Sequence, residues 1–242
     1  MIFVDNNSIK DAAFHFSVEE LFTRYIQSEK PVFMLWQADK TVMLGNNQVY
    51  KAEVDNNFAK SSGIKTVRRS SGGGAIYTDL GTILYTVIEP LTDETKEHRE
   101  RIAETIINAL IKLGVPAKRE GRNDILADGK KFSGFAQYTS GTHVCTHGSL
   151  LYDTDLETLT SVLIANEDKL LPKGIKSIRS RVTNIKPYIS GDYTVDDFIK
   201  KLKDGLLFGK DFSVYNLSED ELSKVNRIKS EKYNNNDWNQ RM

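Results

Sequence analysis

The sequence predicts an α/β or α+β domain with helices packed on a sheet, and three observations carry that reading. Apolar residues recur at three- and four-residue steps in some stretches and form short strand-like runs in others. The two kinds of stretch alternate along the chain, which favours helices covering a sheet. Asp128-Gly129 and Ser140-Gly141 divide Asp124 to Leu151 into short pieces, the signature of antiparallel hairpins. At 242 residues the chain can bury a substantial core, and no internal repeat or interdomain linker divides it.

Taken in order, Ile9, Ala12, Ala13, Phe16 and Leu21 predict an early helix. Phe33 to Trp36 and Thr41 to Leu44 read as strands joined across Ala38-Asp39-Lys40. Strand-like residues Ile64 to Val67 and Ile83 to Ile88 flank a glycine run. Glu94 to Leu113 is a helix with Ile102, Ile106, Ala109 (or Leu110) and Leu113 on one face, stopped by Gly114 and Pro116. Several short strands follow. The last third turns helical, with capping patterns at Thr194 to Asp197 and Ser218 to Glu221, the second being the full Ser-x-x-Glu box. The end, Lys232 to Met242, is polar and is expected to be loose.

Composition narrows the function. Lys and Arg number 33 and Asp and Glu also 33, so no polyanion-binding surface is indicated and nucleic acid is a poor partner. One cysteine rules out an internal disulfide framework, and Met1 to Asp5 lacks the basic start of a secretion signal, so a cytoplasmic location is expected. No apolar run approaches the length of a membrane span.

Three segments could do chemistry. In Arg68-Arg69-Ser70-Ser71-Gly72-Gly73-Gly74-Ala75-Ile76-Tyr77, glycines allow backbone N–H groups to approach an anion and arginines supply charge beside it, so the run reads as an anion-binding loop. Its alternative is a linker, against which the flanking strands argue. In the hairpin around Asp128-Gly129, the Asn123-Asp124 end comes close to Lys131 and Ser133. That set suits a nucleotide with a divalent cation: Asp124 for Mg²⁺ or ribose, Lys131 for charge on a phosphate or carbonyl oxygen; its alternative is a surface hairpin with ordinary turn residues, since Asp-Gly turns are common. In His143-Val144-Cys145-Thr146-His147, a strand would put residues 143, 145 and 147 on one face. A zinc site lacks a fourth ligand nearby. Cys145 could be a nucleophile with His147 as base, or a small buried hydrophobe.

Together these segments resemble the lipoate-protein ligases, within the wider family of biotin ligases and octanoyl transferases. The matching runs are Arg-Arg-x-Ser-Gly-Gly-Gly-Ala-x-Tyr at Arg68 to Tyr77, Gly-Arg-Asn-Asp at Gly121 to Asp124, Asp-Gly-Lys-Lys-x-x-Gly at Asp128 to Gly134, His-Gly-x-Leu-Leu at His147 to Leu151, and Lys-x-Ile-x-Ser-x-Val-x-Asn-Ile at Lys176 to Ile185. The resemblance implies a single catalytic domain over residues 1–242, with a mixed, largely antiparallel sheet and packed helices. It also implies that ATP and lipoate are joined as lipoyl-AMP with Mg²⁺, and that the lipoyl group passes to a lysine of a carrier protein. The carriers implied are lipoyl domains of 2-oxoacid dehydrogenases or a glycine-cleavage H-type protein. By motif, Arg69, Gly74, Ala75, Ile76, Tyr77, Asn123, Asp124 and Lys131 would hold the nucleotide, with Asp124 at the metal. Gly72, Gly73, Gly134, Ala136, His147 and Lys131 would hold lipoate, and Lys131 would be the catalytic residue.

The chain departs from the family pattern at Thr78, Thr82 and Thr146, where the family usually has His, Asn and His. The family's small C-terminal domain is also missing, which leaves two readings: the sequence is a piece of a longer chain, or a separate accessory domain is a further partner. Two rival readings remain: an ATP-independent lipoyl or octanoyl transferase working through a Cys145 thioester, and a non-catalytic lipoyl-carrier or nucleotide-binding module.

Overall fold

The structure is a computed structural model that describes residues 1–6, 8–91, 95–164 and 181–241. Eleven strands form two sheets among these residues. The larger has eight strands in the order β11-β1-β2-β6-β10-β9-β8-β7: β1 is Ile2–Val4, β2 Val32–Trp36, β6 Thr82–Pro90, β7 Lys118–Glu120, β8 Asp124–Ala127, β9 Lys130–Ser140, β10 His143–Leu151 and β11 Ser213–Tyr215. It is parallel only where β1 meets β2 and β11, and antiparallel elsewhere. The second sheet has the order β4-β3-β5, with β3 Thr41–Leu44, β4 Lys65–Arg68 and β5 Ile76–Thr78. The mixed, largely antiparallel architecture is therefore as expected. The strands on either side of Ala38-Asp39-Lys40 do not pair: β2 belongs to the large sheet and β3 to the small one.

Both faces of the large sheet are buried, and the two-residue strand period divides them. Phe33 and Leu35 of β2 face a cluster with Ile102, Ile106 and Leu110 from the helix Thr95–Lys112 and Phe198, Leu202 and Leu206 from the helix Val195–Leu207. Val32, Met34 and Trp36 face the other way, onto α1 (Ala12–Leu21) and the helix Glu219–Ile228. All ten residues of α1 are buried, including His15, Glu19 and Glu20, which is why its periodicity is blurred in sequence. Asp11 caps its start by accepting from the Ala13 amide at 3.0 Å, leaving Ile9 outside the helix. The predicted helix at Glu94 to Leu113 spans Thr95–Lys112, with Glu94 outside the described residues.

Both capping patterns form as expected, Thr194 with Asp197 as well as Ser218 with Glu221, because aspartate at the third helical position also reaches back. One expectation needs correction. The C-terminal stretch is not loose: Trp238 donates its indole N–H to the Arg68 carbonyl at 2.8 Å, and Asn239 is buried within the short helix Asn236–Asn239. A polar stretch is expected to fray only when nothing buried awaits it, and here Arg68 does.

Candidate active site

The glycine run connects β4 to β5 and is held from within by Arg69. That side chain is nearly fully buried, and four of its five N–H groups bond inside the protein: Nε to Ser71 Oγ at 3.0 Å, Nη1 to the Met43 carbonyl at 2.9 Å, and Nη2 to the carbonyls of Gly72 and Gly74 at 2.7 and 2.8 Å. Burial brings its pKa down to about 10 while Glu19 opposes the shift. The expected open guanidinium is therefore mainly a brace for the loop. Gly73 sits at φ +94°, where a Cβ would also lie 3.0 Å from Arg69 Nη2, so only glycine fits without strain. Arg68 points away from the loop's mouth and donates to six carbonyls, those of Gly45, Asn46, Gln48, Trp238, Asn239 and Arg241.

The hairpin of β8 and β9 supplies the opposite wall. Asp128 and Gly129 both take positive φ, 49° and 72°, the requirement of a tight turn between right-twisted strands. A bulge between Ile125 and Leu126 pairs Leu126 with Lys131, so Lys131 moves to the face that carries Asp124 and Gly134. Its Nζ lies 2.8 Å from Asp124 Oδ1, with both side chains nearly half exposed. Gly134 leaves room for that crossing, since a Cβ there would be 3.0 Å from Lys131 Nζ. Two cavities meet here. An inner one of about 180 Å³ has Phe16, Trp36, Met43, Leu84 and His147 in its wall, and an outer one of about 630 Å³ includes Tyr77, Glu120, Leu163 and Arg181. Gly74, Ala75, Ile76, Asp124, Lys131, Gly134 and Ser149 line both.

At the inner cavity His147 is held from both sides. Its Nδ1 is 3.0 Å from each carboxylate oxygen of Glu19, and its Nε2 is 2.6 Å from Ser71 Oγ. Cys145 is fully buried, and burial followed by the nearby Glu19 charge pushes its thiol pKa well above the usual value. A neutral thiol is a poor nucleophile. His143 is elsewhere, bonded through Nε2 to the Ser28 carbonyl at 2.9 Å. Among the described residues Glu19, Cys145 and His147 cluster closely enough to hold a metal ion, but His147 and Glu19 already satisfy each other.

Comparison with known proteins places this geometry. The model of the lipoyl protein ligase A/B catalytic domain matches residues 11–207. The chain belongs to that family. Lipoate-protein ligase LplJ of Bacillus subtilis is 34% identical over 242 residues, covering 99% of this chain and 73% of its own. A bi-partite lipoate protein ligase from Thermoplasma acidophilum, solved in a study with its E2 lipoyl domain, superposes with a TM-score of 0.83 at 27% identity, covering 99% of this chain and 95% of its own. A lipoate-protein ligase A bound with ATP gives a TM-score of 0.82 at 26% identity, covering 99% and 96%.

In this lipoate ligase domain, the expected residues Arg69, Gly73, Gly74, Ala75, Ile76, Asn123, Asp124, Lys131, Gly134, Ala136 and His147 all line the inner cavity, and Tyr77 lines the outer. Gly72 lines neither, its carbonyl being turned to Arg69. Thr78, Thr82 and Thr146 are buried away from both cavities. Thr82 pairs with Thr154 at 2.7 Å, and Gln137 donates to Thr146 at 3.0 Å. The motif Lys176 to Ile185 lies partly outside the described residues; its remainder joins the site where the Thr183 amide donates to the Lys131 carbonyl at 2.9 Å. Sequence reasoning missed Glu19, Ser71, Phe16, Trp36 and Ser149. Nothing in the sequence near Glu19 marks it, because its partner is 128 positions away.

Proposed function

We propose that this enzyme joins lipoate to ATP as lipoyl-AMP and then passes the lipoyl group to a carrier lysine, with the chemistry centred on Lys131. One observation carries the reading: Lys131 stands where a narrow cavity walled by Phe16, Trp36 and Met43 opens into a wider one lined by Gly74 to Tyr77. The inner cavity suits an acyl chain ending in a sulfur ring, with Phe16, Trp36 and Met43 as soft, polarisable contacts. The outer cavity suits the adenylate, with Gly74 to Tyr77 lining it. Gly73, Gly134, Ala136 and His147 take the lipoyl side, and Gly72 acts through Arg69.

In the first step a lipoate carboxylate oxygen forms a bond to the α-phosphorus and pyrophosphate leaves. Two anions must approach each other, and the Lys131 ammonium reduces that repulsion. In the second step the carrier amine attacks the acyl carbon and AMP leaves. Lys131 is then placed for the oxyanion, and fixed orientation supplies much of the acceleration. The donor set also fits Mg²⁺: Asn123 Oδ1 is buried without a hydrogen-bond partner among the described residues, next in sequence to the half-exposed Asp124 carboxylate, two hard oxygens. Bound there, the ion would add positive charge against phosphate oxygens.

A lipoyl domain is the carrier class this reading selects, supported by the archaeal relative described with its E2 lipoyl domain; an H-type protein is the second candidate. The Cys145 transferase reading has a buried, protonated thiol against it. The non-catalytic reading has the intact Lys131–Asp124 pair against it.

The test is incubation with ATP, Mg²⁺, lipoate and each carrier, read by intact mass, together with lipoate-dependent exchange of pyrophosphate into ATP. Since that archaeal relative is bi-partite, both assays are run with and without a separately made accessory domain. Carrier modification with exchange supports the reading. Modification from a lipoylated donor protein without ATP and without exchange would overturn it.

A further inference from the structure

Glu19 is one of the most deeply buried charges in the protein, at 1% exposure, and it lines neither cavity. It lies on α1 facing the middle of the large sheet. Thr86 of β6 donates its hydroxyl to Oε1 at 2.7 Å, and Trp36 donates its indole N–H to that same hydroxyl at 3.1 Å. His147 sits directly opposite Thr86 across the β6–β10 ladder, so its ring reaches the carboxylate from the same face. A carboxylate only accepts, so the nitrogen at 3.0 Å, Nδ1, carries the proton. Nε2 lies 2.6 Å from Ser71 Oγ, a contact that ties Ser71 to the ring whichever of the two donates. Ser71 Oγ also accepts from Arg69 Nε at 3.0 Å. The hydrogen bonds thus run unbroken from Glu19 to Arg69.

The chain also balances charge. Among the described residues Arg69 is a buried cation whose hydrogen-bond partners are all neutral, and the buried Glu19 favours its charged state. Removing one member of a buried pair leaves the other uncompensated, which costs far more than the pair itself contributes.

We infer that Glu19 is a positioning residue: through His147 and Ser71 it fixes the Arg69 guanidinium, and through Arg69 the Gly72–Gly74 turn, so that the acyl-cavity wall and the nucleotide loop are built as one hydrogen-bonded unit. This rests on the reading of the glycine run as the nucleotide loop. Its consequence is that a residue touching neither substrate controls nucleotide affinity.

The test is calorimetric binding of a non-hydrolysable lipoyl-adenylate analogue, and of lipoate alone, to the folded chain. The variants are Glu19→Gln, which keeps the shape and removes the charge, Ser71→Ala, and both together. Ser70→Ala is the control: its hydroxyl bonds to Tyr233 and Lys232 and stands outside the chain of bonds. Each single variant is expected to weaken the analogue at least tenfold, and the double variant to be no weaker than the worse single one, since members of one network do not add. The melting temperature, measured alongside, separates this from general loosening. If wild type binds the analogue and the two single losses add, or the folded variants bind as wild type does, the inference falls while the proposed function stands. If wild type itself does not bind the analogue, it is the proposed function that fails.

Discussion

At residue scale the site depends most on Lys131. Its ammonium is the cation placed beside both cavities, and its salt bridge to Asp124 is solvent-exposed enough to matter little for stability. Lys131→Ala should therefore leave the melting temperature nearly unchanged and reduce both lipoate-dependent pyrophosphate exchange and transfer from supplied lipoyl-AMP by about a hundredfold or more. Near-normal turnover by this variant would remove Lys131 from the chemistry. Cys145 gives the opposite expectation. Its side chain packs with Val32, Met34 and Ile88 in an apolar cluster, so Cys145→Ala should cost on the order of 1 kcal/mol in urea unfolding and leave ATP-dependent carrier modification intact. An acyl-enzyme trapped on wild type and lost in Cys145→Ala would restore the thiol pathway. The contrast between the two residues was only half legible in sequence. Lys131 lies in a local hairpin whose turn residues announce it, whereas the state of Cys145 is set by burial and by Glu19 from a remote helix.

Element by element, what was legible is what is local. The β8–β9 hairpin, the helix Thr95–Lys112 and both capping boxes follow from residues a few positions apart. The bulge that turns Lys131 to the Asp124 face, and the separation of β2 from β3 into different sheets, depend on partners that no short window contains. The clearest case is the C-terminal helix. Polar residues gave it no reason to be ordered, yet Arg68 donates to the carbonyls of Trp238, Asn239 and Arg241, while its own backbone N–H donates to Asn239 Oδ1 at 2.8 Å. The same guanidinium holds Gly45, which has no room for a Cβ beneath the Gly73 carbonyl. Arg68→Met removes all six side-chain bonds and leaves buried carbonyls unpaired, at a cost of about 3 kcal/mol or more. Arg68→Lys should recover little of this, because three N–H groups on one atom cannot reach both segments. Hydrogen exchange reads the result: amides at Asn239 and Gln240 should lose protection in both variants, and retained protection would mean that the helix is held by other contacts.

For the whole molecule, stability rests on α1 being buried between the large sheet and the helix Glu219–Ile228, and this embeds a titratable group. His15 is fully buried, stacks on Trp36 with centroids 4.4 Å apart, and has Nε2 2.8 Å from the Ile9 carbonyl, so Nε2–H is the donor. Burial, only partly opposed by that carbonyl and by Asp11, takes its pKa down from 6.5 to about 4. The sign follows from which state binds the proton. Between these two values the unfolded chain is protonated at this site and the folded chain is not, so stability rises with pH across the window and is complete above 6.5. The size is on the order of 3 kcal/mol lost between neutral pH and pH 4, taking about 1.4 kcal/mol per pH unit. His15→Gln keeps an N–H for the Ile9 carbonyl and cannot titrate. Urea unfolding of wild type and His15→Gln across pH 4 to 7 isolates the effect, because every other ionisable group is common to both. The wild-type advantage, or deficit, should shift by that amount in favour of the variant as the pH falls. Parallel curves over the whole window would show that His15 titrates alike in the folded and unfolded chain, and that α1 is not sealed against water.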